Sequence, residues 1–132
     1  MLEIGIDIVN LADMTETLKR SGDIFLKRVY SPAEIKQGKG CENPMAFFAS
    51  AFAAKEAVFK ALKLTWQPGI DLRHIEVSRG PLGEPLITLS GRIGELAAAK
   101  GEHEMAISLS YETTIAIAMV VFLFRKQEAD FR

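Results

Sequence analysis

Phe52-Ala53-Ala54-Lys55-Glu56-Ala57-Val58-Phe59-Lys60 decides how the rest of the chain is read. It lies late in the longest helical stretch, where residues 45 to 63 are mostly strong helix formers with no glycine or internal proline. Asn43 is a good N-cap. Pro44 suits the first helical position, where a missing N–H costs nothing. Phe48, Phe52, Glu56 and Lys60 stand four apart, so a helix sets them in one row. The two phenylalanines turn that row toward the interior or a cleft. A carboxylate there needs a partner, because burying it alone is costly. Spacing leaves two accounts open: a partly exposed Glu56–Lys60 pair worth about 0.2–0.5 kcal/mol, or a carboxylate kept for binding.

Upstream, Leu2 to Val9 alternates, with Leu2, Ile4, Ile6 and Ile8 on one face and Glu3, Gly5, Asp7 and Val9 on the other. This predicts a strand with Asp7 near its end. The acid either marks the sheet rim or is a ligand presented by a rigid strand. Gly5, on the same face, permits a close backbone approach. Leu11 to Arg20 reads as a helix capped by Asn10 and ended by Ser21-Gly22, and Asp23 opens a second short helix through Arg28. Ser31-Pro32-Ala33-Glu34 is a capping box. The helix it opens is expected to be brief, with Gln37 to Glu42 a mobile loop.

Downstream, Leu64 to Gly69 is a turn-rich connection holding the sole tryptophan, Trp66. Leu72 to Ser78 and Leu86 to Leu89 read as a hairpin around the Gly80–Pro85 turn, with His74 at a strand end. Ser90 is expected to cap a helix ending before Gly101. Met105 to Ser110 and Thr114 to Phe124 predict a central antiparallel hairpin, followed by a polar, frayed tail from Lys126. The whole is a single α+β domain over residues 1–132, a mostly antiparallel sheet packed against a long helix.

Composition narrows the function classes. Hydrophobic content of 48% supports a real core, and a net charge of −1 gives no basic signature for nucleic acid. One cysteine, Cys41, excludes an intrachain disulfide and a cysteine-rich metal site. The start is unlike a signal peptide, and the apolar run from Ile115 to Phe124 is too short to span a bilayer as a helix. The expectation is a cytoplasmic protein without nucleic-acid or membrane partners.

Three stretches taken together carry a resemblance: Gly5-Ile-Asp-Ile-Val9, Phe52 to Lys60, and Ile107-Ser-Leu-Ser110. In this order and chain length they resemble the small phosphopantetheinyl transferases of the holo-acyl-carrier-protein synthase type. Arg28 to Ile35 also looks like the family's segment between the first helices. The resemblance implies the 4′-phosphopantetheinyl transferase fold and magnesium-dependent transfer of 4′-phosphopantetheine from coenzyme A to a serine of an apo acyl carrier protein, as used in fatty acid biosynthesis, with release of 3′,5′-ADP. It also implies assembly as a homotrimer with active sites between protomers. Charge grows on phosphate oxygens in such a step, so a cation and a cationic side chain supply most of the help. By resemblance Asp7 and Glu56 are the magnesium carboxylates and Lys60 meets the coenzyme A phosphates. Gly83, Pro85, Ser108 and Tyr111 are the further coenzyme A contacts. Either Glu56 or a magnesium-bound water would take the serine proton.

The chain also departs from the family pattern. Ala51 stands where an arginine often precedes the central motif, Leu64-Thr-Trp66 replaces a Gly-Thr-Gly turn, and Tyr111 replaces a histidine. Asp13 falls where an arginine usually meets the carrier's acidic face, and Glu3 replaces a glycine. Lys19, Arg20, Lys27 and Arg28 are candidates for a shifted basic face. The alternative reading is a non-catalytic relative that still holds coenzyme A or a nucleotide, or acts as an assembly subunit.

Overall fold

The structure, a computed structural model, describes residues 1–125, so the polar tail from Lys126 lies outside the described residues. The elements run β1 (Leu2–Asn10), α1 (Leu11–Val29), α2 (Pro32–Lys39), α3 (Pro44–Ala61), β2 (Ile75–Arg79), β3 (Pro85–Leu89), α4 (Gly91–Ala99), β4 (His103–Tyr111) and β5 (Ile115–Phe124). The expected antiparallel pairing holds, but among the described residues it forms two sheets. One has the order β1-β5-β4; the other is the β2-β3 hairpin.

β5 is central because both its edges are paired, from Leu2↔Leu123 to Asn10↔Ile115 on one side and from His103↔Phe124 to Tyr111↔Ala116 on the other. Its inward set, Ala116, Ala118, Val120, Phe122 and Phe124, is buried. α3 lies across that face and against the inward face of β1. The approach is close enough that a Cβ on Gly5 would stand 1.8 Å from the carbonyl oxygen of Ala57, where only glycine fits. β1 thus turns Glu3, Gly5, Asp7 and Val9 toward the helix. Its isoleucine-rich face points outward: Leu2, Ile4, Ile6 and Ile8 are 54 to 68% exposed, beside half-exposed Met119 and Leu123 on β5.

α3 begins as its sequence dictates, with Asn43 accepting from the Ala46 N–H at 3.2 Å and Pro44 leading the first turn. Its fully buried row is Phe48, Ala51, Lys55, Val58 and Leu62, spaced three and four apart. Phe52 and Glu56 flank this row half-buried, and Lys60 is exposed. The Phe48–Phe52–Glu56–Lys60 row therefore borders the core rather than filling it.

Two boundaries, the end of α2 and the start of β2, differ from expectation. α1 comprises the two helices expected, which meet end to end at a kink where Gly22 sits at φ 43°, ψ −121°. α2 extends through Gln37, Gly38 and Lys39, which the sequence reading assigns to a loop. Gly38 is buried so tightly that a Cβ would meet the Phe48 and Phe47 rings at 2.4 and 2.7 Å. The strand expected from Leu72 begins at Ile75, because Asp71 caps a short 3-10 turn over Leu72–His74. Ser90 occupies the N-cap position of α4 without donating or accepting a side-chain cap bond.

Candidate active site

α3 and β1 bring the three central residues together. The Lys60 ammonium donates to Asp7 Oδ1 at 2.9 Å and to the Ile6 carbonyl at 3.0 Å. The Asp7 side chain is largely covered, while that of Lys60 is half-exposed. One turn earlier, Glu56 shares the same side of α3. Burial pushes its carboxyl above the usual carboxylate range, the Asp7 charge pushes it further, and Lys60 opposes both. Two carboxylates close enough to repel, with one ammonium bound to Asp7, form an unbalanced set open on its Lys60 side. The spacing account of a lone Glu56–Lys60 pair is too simple: the ion pair seen is Lys60 with Asp7, 53 residues apart.

This donor set fits a small hard cation. Mg²⁺ takes oxygen ligands and is content with one or two carboxylates when substrate phosphates and water complete its shell. Asp7 and Glu56 supply two such groups and an uncompensated negative charge. Among the described residues no group of three or more His, Cys, Asp or Glu side chains is placed to hold a metal ion by itself.

Lys55, adjacent to Glu56 in sequence, points the other way. Its ammonium is fully buried and donates to Glu34 Oε1 at 2.8 Å and to the Leu72 and Ile75 carbonyls at 2.9 and 2.5 Å. All three of its protons are used. Glu34 answers in full: Oε1 also accepts from Ser31 N at 2.8 Å, closing the capping box, and Oε2 accepts from Val77 N at 2.9 Å. Burial lowers the Lys55 pKa, and Glu34 raises it again. Tyr30 closes this region, its ring beneath the Lys55 ammonium and its hydroxyl donating to the Phe48 carbonyl at 2.7 Å. Burial in apolar surroundings, together with the nearby Glu34 charge, holds that phenol protonated. One lysine thus ties α3 to α2, to the 3-10 turn and to β2. The sequence reading took Glu34 only as a cap and gave Lys55 no role. The available signal was its place in the three-and-four row of apolar residues on α3.

The other expected ligand contacts lie elsewhere. Tyr111, at the end of β4, lines a cavity of about 460 Å³ with Ser50, Asn43 and Arg79. The buried Ser50 hydroxyl there has no hydrogen-bond partner. Gly83 is at the tip of the β2-β3 hairpin at φ 79°, and Arg79 reaches its carbonyl at 3.4 Å. Pro85 opens β3 and lines a smaller cavity of about 330 Å³ against β4. Ser108 lies exposed on β4, opposite Met119. No side-chain hydrogen bond among the described residues joins this group to Asp7, Glu56 or Lys60. Ala51 is buried in the core, so a long cation at that position would need a different path to solvent.

The family model described as the 4′-phosphopantetheinyl transferase superfamily matches residues 3–118. A holo-[acyl-carrier-protein] synthase of Koribacter versatilis is 36% identical over 121 residues, covering 92% of this chain and 97% of its own. The holo-[acyl-carrier-protein] synthase of Halorhodospira halophila is 38% identical over 120 residues, covering 91% and 95%. Among solved structures, the Chronobacterium ammoniagenes ACPS–CoA complex superposes with a TM-score of 0.84 at 26% identity, over 96% of this chain and 99% of that one. The Helicobacter pylori synthase in complex with coenzyme A gives 0.76 at 34% identity, over 91% and 99%.

Proposed function

Since the chain belongs to the 4′-phosphopantetheinyl transferase superfamily, we infer that it is a holo-acyl-carrier-protein synthase, moving 4′-phosphopantetheine from coenzyme A to a serine of an apo acyl carrier protein. The observation that carries this reading is the meeting of Asp7, Glu56 and Lys60 at the α3–β1 contact.

The carrier serine oxygen attacks the β-phosphorus of the pyrophosphate. A new P–O bond forms as the bond to the bridging oxygen breaks, and 3′,5′-ADP departs with that electron pair. The serine proton passes to Glu56, directly or through one water. Burial and the Asp7 charge raise this carboxylate's basicity, which suits it to the task. Lys60 is exposed and mobile enough to exchange its Asp7 contact for a phosphate oxygen, placing positive charge where the leaving diphosphate gains negative charge. Asp7 and Glu56 would hold Mg²⁺, which supplies charge neutralisation at the phosphates when bound. Gly83, Pro85, Ser108 and Tyr111 serve as the further coenzyme A contacts.

The proposed site is shared between copies of the chain. The exposed Leu2–Ile4–Ile6–Ile8 face, continued by Met119 and Leu123, is a contiguous apolar sheet surface of the kind that a subunit interface covers. A homotrimer built on it would set Asp7, whose strand carries that face, beside a neighbour. The reaction belongs to the cytoplasm, where coenzyme A and carrier meet. Among the described residues no helix is long and apolar enough to cross a membrane.

The test is the intact mass of apo carrier incubated with the protein, coenzyme A and magnesium. The expected result is a gain of one phosphopantetheine, abolished by EDTA and by Glu56→Gln. Tight coenzyme A binding without any mass gain would replace this reading with the non-catalytic relative.

A further inference from the structure

The contact between α3 and β1 holds two ion pairs, and the reaction centre uses one of them. Lys60 meets Asp7 at 2.9 Å; three residues on, Lys63 meets Glu3 Oε2 at 3.4 Å. Glu3 and Asp7 stand four residues apart on the same face of β1, and both side chains are largely covered. Both lysines reach across from the end of α3 to that strand. The two pairs therefore follow one seam, and the open side of the site at Lys60 continues toward Lys63.

Lys63 is held there against its own backbone preference. α3 ends in a Schellman motif: the Lys63 N–H donates to the Lys60 carbonyl at 3.1 Å and the Leu64 N–H to the Phe59 carbonyl at 3.0 Å. That motif needs a left-handed residue just past the cap. Lys63 fills the position at φ 54°, the one non-glycine residue with positive φ among the described residues. Glycine takes this conformation freely, whereas a residue with a Cβ is strained in it.

Little inside the fold offsets that strain. A cation near the last carbonyls suits the helix dipole, but Lys60 already stands in the last turn. The Glu3 contact is long, and the Lys63 side chain is 72% exposed, so water screens the pair. Strain at an exposed cation beside a reaction centre points to a binding task. The seam sets three carboxylates, Glu3, Asp7 and Glu56, against two ammonium groups. An anion entering it needs both of them.

We propose that Lys63 is a second binding cation for the diphosphate of the donor, coenzyme A. This rests on the transferase reading above. Lys63 exchanges Glu3 for a phosphate oxygen, as Lys60 exchanges Asp7. It lies beyond Lys60 from Glu56, so it holds the diphosphate alike before and during the reaction. Its contribution is therefore to donor affinity and not to the rate of the chemical step.

The experiment is steady-state transfer with coenzyme A and, in parallel, with dephospho-coenzyme A, which keeps the diphosphate and lacks the 3′-phosphate. Lys63→Gly should melt at or a few degrees above wild type, because glycine relieves the left-handed strain. The same variant should raise the KM for either donor about fivefold or more, with kcat and the carrier KM within about twofold. A merely structural lysine predicts the opposite, a protein at least as stable that binds its donor no worse. Glu3→Gln/Lys63→Gly separates contact from shielding: a KM that stays raised upholds the contact, and a return to the wild-type value would show that Lys63 only neutralises Glu3 and overturn it. An unchanged KM in Lys63→Gly, or a rise confined to coenzyme A, would also overturn the proposal while leaving the transferase reading intact. If the wild-type protein modifies no carrier, that reading fails by itself. Calorimetric titration with coenzyme A then decides Lys63: affinity lowered about fivefold in Lys63→Gly upholds its role, and equal affinity or no binding overturns it.

Discussion

Replacing Gly5 by alanine is the sharpest perturbation of the site, because it changes one methyl group outside the reaction centre. The added Cβ would lie 1.8 Å from the Ala57 carbonyl oxygen and 2.9 Å from the Ala61 nitrogen. A carbon and a carbonyl oxygen come no closer than roughly 3.3 Å, so β1 and α3 must part by about 1.5 Å at this point. Asp7 is two residues along the same strand and face, and Glu56 precedes Ala57 on the helix. The shift is therefore transmitted directly to the space between the two carboxylates. A misplacement of about 1 Å can cost on the order of 100-fold in rate, and overpacking a tight contact costs about 1–3 kcal/mol. The expectation is a folded Gly5→Ala protein, melting several degrees lower, with transfer reduced by about 100-fold or more. Ala57→Gly should not rescue it, because the colliding atom is a backbone oxygen that glycine retains. The assay is carrier mass gain against time, run well below the melting point of the variant. A stable Gly5→Ala protein transferring within about threefold of wild type would refute the claim that this contact sets the site.

Glu56→Gln should raise the metal-free melting temperature at pH 7 and leave it unchanged below pH 4, roughly. The sign follows from the raised carboxyl: the folded protein holds this proton more tightly than the unfolded chain, so stability is lost as pH rises from about 4.3, the free value, through the raised one. Equal melting curves at both pH values would remove the electrostatic account of Glu56. Lys55→Met should destabilise by about 3–5 kcal/mol in urea unfolding, because Glu34 is left buried and charged, and adding Glu34→Gln should recover much of that loss. Ile6→Lys, in the outward row opposite Met119, should reduce the proposed trimer to monomers in sedimentation velocity while the isolated fold remains intact. An unchanged sedimentation coefficient would count against an interface on that sheet.

Much of this fold follows from local rules visible in the sequence. Asn43-Pro44, Ser31-Pro32 with Glu34, and the alternation of β1, β4 and β5 each specify their own element by chemistry acting within a few residues. What local rules did not show depended on partners distant in sequence. Gly38 reads as a loop glycine until Phe47 and Phe48 are seen to press against it. The division into two sheets is likewise not encoded in any one strand. β1 is the clearest case: its apolar residues give the right period but face outward, because only the Glu3–Gly5–Asp7 side, with its glycine, lets α3 approach. At the site, Asp7, Glu56 and Lys60 were named by resemblance and the fold brings them together. Tyr111 and Gly83 make no side-chain hydrogen bond to them among the described residues.

The central motif also shows why a lysine and a glutamate stand side by side in it. On a helix, neighbours in sequence point about 100° apart, so Lys55 and Glu56 face different environments. Lys55 spends its charge entirely inside, on one carboxylate and two carbonyls, where replacing the whole Lys55–Glu34 pair by hydrophobic residues of similar volume would serve stability as well or better. What an apolar side chain lacks is direction. Three hydrogen bonds from one atom fix both the rotation of α3 and its position along its axis against α2 and β2, while Gly5 fixes its distance from β1. Glu56, one residue on, inherits that setting. The expense of burying an ion pair is thus understandable as the means of setting a half-buried carboxylate near Asp7. The order Lys-Glu, with Lys60 one turn later, places the anchor, the half-buried carboxylate and the exposed cation on a single rigid element.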